Sequence, residues 1–309
     1  MKLFKPRFWN KKNSFFAYLL FPISFLIQVL RILKNKITKT RKYNVPIFCV
    51  GNIYLGGTGK TPLTIKIFEL LKNLGKNPAI VKKFYKSHLD EIKLLEDRTD
   101  KIFYNHSRNK AIQKAIQKNL DIIILDDGFQ DNSIEKNLEM LCFNENQLIG
   151  NEFTIPSGPL REPFSSIKKS SIIFINGNQN FEFEKKIKKI SQNIDIYYFR
   201  YKPINLKDFE NKKLLAFAGI GNPENFFKLI KKNKLDIKKK ISFPDHYNYS
   251  KNEIEKLIAE SKNMNFELIT TEKDYFRIKN LGYKNIKFLK IEIEFDNEQE
   301  LLKNIKNYL

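Results

Sequence analysis

A glycine-rich loop between an apolar run and an amphipathic segment constrains the fold more than any other feature of the sequence. The stretch Val50–Ile65 reads VGNIYLGGTGKTPLTI. The run Pro46–Val50 before it is typical of a buried parallel strand. After the glycines, apolar residues recur at helical spacing from Leu63 to Leu74, and Gly75 is placed to end the helix. The order strand, glycine loop, helix predicts an α/β fold whose loop cradles a phosphate.

The loop contains the groups that bind a nucleotide phosphate. In such a loop the backbone N–H groups and the helix N-terminus converge on the anion, Lys60 reaches the terminal phosphates, and Thr61 offers its hydroxyl to Mg²⁺. Tyr54 stands where the full pattern has glycine, but a plain strand-to-helix turn needs no Gly-Lys-Thr. We therefore predict that ATP and Mg²⁺ bind here, with phosphate contacts from Gly56, Gly57, Thr58, Gly59, Lys60 and Thr61.

A pair of carboxylates follows a second apolar strand. The stretch Asp121–Gln130 reads DIIILDDGFQ and ends its apolar run at Asp126 and Asp127. In P-loop proteins an acidic residue at this strand end holds Mg²⁺, directly or through water. An Asp-Gly pair is also a common turn, but beside a phosphate loop we predict that both carboxylates serve the metal together with Thr61.

Strands and helices alternate along the rest of the chain. The alternation predicts βαβ units and a mostly parallel sheet with flanking helices, as in P-loop NTPases. After the lysine- and asparagine-rich stretch Tyr201–Lys213, a second α/β set begins, so we predict a P-loop nucleotide-binding domain over residues 37–208 and a smaller α/β domain over 209–309. The elements predicted for the first domain are strands at Ala79–Lys82, Asp121–Leu125, Leu138–Phe143 and Ser171–Ile175 and helices around Lys110–Lys118 and Phe183–Ile190.

The N-terminal stretch Ser14–Leu33 is almost wholly apolar and has lysines on both sides. A spanning helix needs roughly 20 apolar residues, but Pro22 interrupts this run, and Gln28 and Arg31 mark its end. No small-residue cleavage site follows, and basic residues on both sides set no orientation. We predict that residues 1–36 form a helix lying in the membrane surface; a spanning helix and an ordinary core helix are the alternatives.

Composition narrows the choice of partners and compartment. The formal net charge is +22, which favours anionic partners. The lysines are spread along the chain, and zinc-finger spacings and RNP-like aromatic motifs are absent, so charge alone supports an anionic membrane surface about as well as nucleic acid. The apolar N-terminal stretch is more specific, and with it we predict an anionic membrane surface and no nucleic acid as partner. Cys49 and Cys142 lie in apolar runs without metal-ligand spacing, which is typical of buried thiols in a reducing compartment.

Six motifs together resemble one family. VGNIYLGGTGKTP, DDGFQ, SGPLREP, AFAGIGNPENFF, FPDH and TTEKD occur in the order and rough spacing of the tetraacyldisaccharide 4′-kinases, the lipid A 4′-kinases of Gram-negative bacteria. The resemblance covers almost the whole chain. It implies transfer of the ATP γ-phosphate to the 4′-hydroxyl of an acylated glucosamine disaccharide 1-phosphate at the cytoplasmic face of the inner membrane, without an obligate protein partner.

The resemblance also implies roles for single residues. Asp90-Glu91, in SHLDEIKLL, resembles the family's Gly-Asp-Glu-Pro motif, whose aspartate works with a later histidine and whose glutamate helps at the metal. The matching histidine is His246, so Asp90 is the expected base and His246 its partner from the other domain, joined to it by domain closure. The implied set is Lys60, Asp90 and His246 for catalysis, Thr61, Glu91, Asp126 and Asp127 for the metal, and Gln130 and Arg161 for the substrate.

Some positions depart from the family pattern. KKFY, Lys82–Tyr85, replaces the family's Ser-Arg-Gly-Tyr, and Asp131 stands where histidine is usual. His88 precedes the Asp-Glu pair, and we expect its side chain to lie at the surface. A rival function is a membrane-associated ATPase switch of the partitioning type, but that class has lysine just before its paired glycines, where this chain has Leu55. A basic nucleic-acid-binding ATPase is a third hypothesis, based on net charge alone.

Overall fold

The computed structural model describes residues 5–279, 281–283 and 286–309. These residues form two compact units, each assembled from separate stretches of chain. Sequence reasoning expects contiguous domains, whereas residues 84–100 group with the second half of the chain. The reason is that their helix makes ion pairs with a helix near residue 275. The larger unit comprises Lys5–Lys83, Lys101–Arg200 and Glu294–Leu309, and the smaller unit Phe84–Asp100 and Tyr201–Ile293.

Helices and strands alternate through both units. The strands are β1 (Ile47–Gly51), β2 (Pro78–Lys83), β3 (Ile102–Asn105), β4 (Ile122–Asp126), β5 (Leu138–Asn144), β6 (Ile172–Asn176), β7 (Asp195–Pro203), β8 (Lys213–Ala218), β9 (Asp236–Ser242), β10 (Glu267–Thr271), β11 (Lys287–Leu289) and β12 (Ile291–Phe295). The helices are α1 (Phe15–Ile37), α2 (Lys60–Asn73), α3 (Leu89–Arg98), α4 (Arg108–Ile116), α5 (Phe181–Ile190), α6 (Pro223–Lys232), α7 (Lys251–Asn263), α8 (Glu272–Lys279) and α9 (Glu298–Lys306).

An eight-stranded sheet forms the centre of the larger unit. Its strand order is β12-β7-β6-β5-β1-β4-β2-β3, and the pairings from β3 through β7 are parallel. Strand β1 is buried along its whole length, as its continuous apolar run predicts. In the sheet, Val50 is opposite Asp126, and Asp126 is opposite Lys82. The carboxyl ends of β1, β4 and β2 therefore place the phosphate loop beside Asp126.

A four-stranded parallel sheet, β11-β10-β8-β9, forms the centre of the smaller unit. Alternate residues of β8 face opposite sides: Leu214 and Ala216 pack with α6, and Leu215 packs with α7. Helix α7 begins with a capping box, in which the Ser250 and Glu253 side chains accept from each other's backbone N–H.

The mostly parallel α/β fold with flanking helices is as predicted. Each strand and helix predicted for the first domain is present with its ends shifted by one or two residues. In that domain, β3, α3 and β7 were not predicted. The stretch Tyr201–Lys213, expected to separate the two sets, begins inside β7, which continues to Pro203.

Helix α1 continues through Pro22, so the proline that interrupts the apolar run of the sequence does not end the helix. By its length and composition the helix could cross a membrane, and only 11% of its most apolar 18-residue stretch is buried. Phe15 and Phe25 are 76% and 62% exposed. An ordinary core helix would bury such side chains, so the structure disfavours that alternative.

Candidate active site

The glycine loop joins the buried end of β1 to the first turn of α2. Positive φ angles of 84° at Gly56 and 100° at Gly59 turn the chain, and such angles are accessible chiefly to glycine. The Asn52 side-chain amide braces the loop from within, donating to the Tyr54 carbonyl at 2.6 Å and to the Thr58 hydroxyl at 2.9 Å. The loop is thus held in one shape by its own side chains.

Tyr54 explains why the first glycine of the full pattern is dispensable here. Its side chain is buried in the core of the larger unit, and its backbone pairs with Leu160. The tight turning falls instead at Gly56, Gly57 and Gly59, which have positive φ. Position 54 therefore contributes packing, and the predicted loop geometry is retained.

Asp126 lies at the end of β4 and is fully buried. It accepts hydrogen bonds from the hydroxyls of Thr61 at 3.4 Å and Thr64 at 3.2 Å, and it forms an ion pair with Lys82. Lys82 is also buried. The structure thus joins two predicted metal-site residues, Thr61 and Asp126, and adds a lysine that sequence reasoning missed.

Two cationic side chains contact the Asp127 carboxylate beside the phosphate loop. Arg161 Nη1 donates to its Oδ1 at 2.8 Å and its Oδ2 at 3.1 Å, and Lys60 Nζ lies 3.6 Å from Oδ1. Burial alone raises the pKa of Asp127, but the charges of Lys60, Arg161 and Lys82 outweigh it and lower the pKa below its ordinary value. Four predicted residues therefore meet here, because Gln130 also accepts from Arg161 at 3.3 Å.

Arg108 is a further contact of this cluster that was not predicted. It binds Asp131 at 3.0 Å and the Asp127 carbonyl. Asp131 thereby supports the DDGFQ turn from the position where the family usually carries histidine. Asp127 itself has a positive φ of 58°, which the turn imposes.

The smaller unit brings Asp90 and His246 together. Asp90 is in the first turn of α3, and its Oδ1 lies 3.5 Å from His246 Nδ1. The sequence hypothesis drew the two from different domains and joined them by closure. Both belong to the same unit here, so their pairing needs no closure. The ring of His88, expected at the surface, stacks on that of His246 with centroids 4.6 Å apart.

Two cations of α8 hold the Asp90-Glu91 pair. Lys273 Nζ lies 2.7 Å from Glu91 Oε1, and Arg277 forms an ion pair with Asp90. Burial raises the pKa of Asp90, but the hydrogen bond with His246 and the charges of Lys273 and Arg277 lower it below its ordinary value. Glu91, predicted for the metal site, therefore lies in the smaller unit beside a lysine, whereas Thr61, Asp126 and Asp127 belong to the larger one.

Polar residues of α1 contact the segment that contains Arg161. The Ser24 hydroxyl donates to the Thr154 carbonyl at 2.9 Å. Arg31 donates to the Arg161 carbonyl at 2.6 Å and forms an ion pair with the buried Glu162. The proline-rich loop thus connects the exposed apolar helix with the residue that binds Asp127.

A family model described as tetraacyldisaccharide-1-P 4′-kinase matches residues 16–309. The chain belongs to this kinase family. A tetraacyldisaccharide 4′-kinase from Pelagibacter ubique is 42% identical over 305 residues, covering 97% of this chain and 96% of the relative. Another from Rickettsia bellii is 34% identical, covering 90% of each.

A solved structure shows the same fold. LpxK from Aquifex aeolicus, crystallised in complex with ATP, superimposes with a TM-score of 0.73 over 94% of this chain and 99% of its own, at 22% identity. The P-loop α/β architecture is therefore that of this kinase family.

Proposed function

We propose that this protein transfers the γ-phosphate of ATP to the 4′-hydroxyl of a tetraacylated glucosamine disaccharide 1-phosphate, giving lipid IVA at the cytoplasmic face of the inner membrane. The observation that carries the proposal is the cluster beside the loop, where Lys60 and Arg161 converge on Asp127. Membership of the kinase family supports the reaction class.

The loop and its cations supply what phosphoryl transfer demands. Little covalent chemistry falls to the protein in this reaction, so catalysis depends on positioning and on stabilising the charge of the transferred group. The loop amides and Lys60 bind the terminal phosphates of ATP. Arg161, whose planar guanidinium suits two parallel hydrogen bonds to a phosphate, serves the reacting groups beside them.

The residues around Asp126 fit Mg²⁺. The Thr61 hydroxyl and the Asp126 carboxylate are oxygen donors 3.4 Å apart, and oxygen donors are what Mg²⁺ prefers. Among the described residues, no group of three or more acidic, histidine or cysteine side chains is arranged to hold a metal ion. Thr61, Asp126 and Asp127 would hold the ion together with the phosphates, since Mg²⁺ commonly binds one or two carboxylates and its substrate. When bound, it neutralises charge on the phosphates.

Asp90 is the proposed base, with His246 assisting it. A sugar hydroxyl is a weak nucleophile, so its proton must be accepted as its oxygen bonds to the γ-phosphorus and the bond to the leaving ADP oxygen breaks. The lowered pKa of Asp90 keeps its carboxylate ionised but makes it a weaker base, so it takes the proton as the hydroxyl oxygen bonds to the γ-phosphorus and the hydroxyl becomes acidic. His246 Nδ1, 3.5 Å from Asp90, orients the carboxylate.

The acceptor's acyl chains require a membrane-facing surface, and α1 offers one. Its exposed phenylalanines and leucines suit the acyl boundary, and the surplus of lysine suits anionic headgroups. Sedimentation with vesicles containing anionic lipid measures this directly. Full-length protein should pellet with them, and protein lacking residues 1–35 should not; equal binding by both would contradict a role of α1.

The decisive experiment is incubation with γ-labelled ATP, Mg²⁺ and the acylated disaccharide 1-phosphate in detergent. We expect a bisphosphorylated lipid whose formation requires Lys60. If the rate of ATP hydrolysis does not depend on the lipid but requires another protein, the result would favour the partitioning-type switch and overturn the proposal.

A further inference from the structure

We propose that Arg277 is a positioning residue for the Asp90–His246 pair, held in place by the buried Asp274. This inference rests on the proposed function. It assigns a role to the TTEKD motif and to the glycine turn after β8, which neither the phosphate loop nor the base explains.

Arg277 binds three groups of the smaller unit at once. Its Nε donates to Asp90 Oδ2 at 3.0 Å, joined there by Nη2, and its Nη1 donates to Asp274 Oδ1 at 2.6 Å and to the Gly219 carbonyl at 2.7 Å. Only 10% of its side chain is exposed. A guanidinium has donors in a fixed planar arrangement, so these acceptors fix its position and its orientation.

Asp274 anchors the arginine. It is fully buried and accepts from the Gly219 N–H at 2.9 Å, the Thr271 hydroxyl at 2.7 Å and the Tyr249 hydroxyl at 3.0 Å. Burial and the Asp274 charge both raise the pKa of Tyr249, so its hydroxyl remains a donor. These three hydrogen bonds come from the same unit and fix the position of the Asp274 carboxylate.

Gly219 allows the backbone to approach this network. A Cβ at this position would lie 2.8 Å from the Tyr249 hydroxyl oxygen and 3.1 Å from Asp274 Oδ1. Because the glycine has no side chain, its N–H and its carbonyl can bind Asp274 and Arg277 together. The AFAGIGNP turn is therefore part of the support for Arg277.

The two carboxylate oxygens of Asp90 therefore have different partners. Arg277 occupies Asp90 Oδ2, which leaves Oδ1 facing His246 Nδ1. Arg277 Nη2 also lies 3.4 Å from that ring nitrogen, so it limits both members of the pair. Freed from Arg277, the Asp90 carboxylate could rotate about its side-chain bonds, and misplacement by about 1 Å can cost a reaction roughly 10²-fold.

A matched control lies on the same two helices. Arg98, at the other end of α3, contacts both oxygens of Glu272 at the start of α8, at 2.9 and 3.0 Å. The Arg98 and Arg277 ion pairs therefore both join α3 to α8. Of these two arginines, it is Arg277 that contacts Asp90 and His246.

The test compares steady-state kinetics of lipid phosphorylation in Arg277→Lys, Arg277→Met and Arg98→Met. We expect Arg277→Met to lower kcat roughly 10²-fold and Arg277→Lys roughly tenfold, with the KM for ATP unchanged. Lysine keeps the charge but cannot bind all three acceptors. Arg98→Met should lower the unfolding temperature while leaving kcat near that of the parent protein.

A second comparison uses Asp90→Asn with and without Arg277→Lys. If Arg277 acts through Asp90, the double variant is no slower than Asp90→Asn. Independent, multiplicative losses would overturn the inference, as would equal losses of kcat in Arg98→Met and Arg277→Met. If Arg277→Met does not fold, Arg277→Lys decides. If Asp90→Asn is inactive while both Arg277 variants are fully active, the inference about Arg277 is wrong but the proposed base stands. If Asp90→Asn is active, the proposed base is wrong, and the role of Arg277 is wrong with it.

Discussion

The two units each contain a pair of adjacent acidic residues, and the pairs are built differently. Asp126-Asp127 closes a buried strand, and its cations Lys60 and Arg161 come from motifs that are recognisable in sequence. Asp90-Glu91 opens a ten-residue helix, and its cations Lys273 and Arg277 lie more than 180 residues further along the chain. The phosphate cluster is therefore encoded by local motifs, whereas the base depends on ion pairs between α3 and α8, which are distant in sequence.

The largest expected effect is the loss of turnover in Lys60→Ala, which tests the phosphate cluster of the larger unit. Removing a charge aimed at the transferred phosphate should lower turnover roughly 10³-fold, since such electrostatic positioning dominates the reaction. Lys66→Ala is the matched control, because Lys66 lies on the same helix and binds Glu298 at 2.8 Å. Labelled lipid product reports both rates. Near-normal product formation by Lys60→Ala would contradict the assignment of the loop.

The next effect is on stability and comes from Lys82→Met. The substitution leaves Asp126 as an uncompensated buried charge, which should cost about 3 kcal/mol in the free energy of unfolding. Denaturant titration measures it. The double variant Lys82→Met with Asp126→Asn should recover part of that loss. Lys186→Met is the exposed control, since it removes a surface ion pair with Glu152 and should cost about 0–1 kcal/mol.

For the base we expect losses of roughly 10²-fold in kcat from Asp90→Asn and from His246→Ala, with little change in ATP affinity. The double variant should be scarcely slower than the weaker single variant, because paired groups act as a unit. Binding of a fluorescent ATP analogue separates affinity from turnover. An active Asp90→Asn beside an inactive Asp126→Asn or Asp127→Asn would move the base to the larger unit.

The smallest effect is the dependence of stability on acid pH. Both Asp90 and Asp127 have folded-state pKa values below the ordinary one, so unfolding takes up protons. Their stabilisation is present above the unfolded-state pKa of about 4 and is lost as the pH falls toward the folded-state values. Asp90→Asn and Asp127→Asn should each flatten the fall in unfolding free energy below about pH 5. A slope unchanged by both would show that neither carboxylate is linked to folding.

Sequence reasoning recovers the larger unit well because its signals are local. A continuous apolar run predicts β1 and β4, and Gly-Lys-Thr predicts the loop that follows. Gln130 and Arg161 come with motifs of the same kind. Lys82 was missed because a lysine at a strand end usually reaches solvent, and its burial depends on Asp126 on the neighbouring strand.

The smaller unit is harder to predict because its pairing is distant. Nothing near Asp90 identifies its partner, and α3 itself is short and was not predicted. The family resemblance named His246, but the residue that binds Asp90 most closely is Arg277, three residues beyond TTEKD. The TTEKD motif was recognised in the sequence, but no role could be given to it. The packing of α8 on α3 indicates that role, because it brings Arg277 to Asp90.

The interleaving of the two units has a consequence for synthesis on the ribosome. The larger unit includes α9, where Asn304 donates to Asp195 at 2.6 Å. Helix α3 of the smaller unit must await Arg277, which emerges long after it. The smaller unit therefore cannot complete its packing until Arg277 has left the exit tunnel, and the larger unit until α9 has left it. A nascent chain stalled before α9 would therefore present an eight-stranded sheet that α9 does not yet cover to chaperones and proteases.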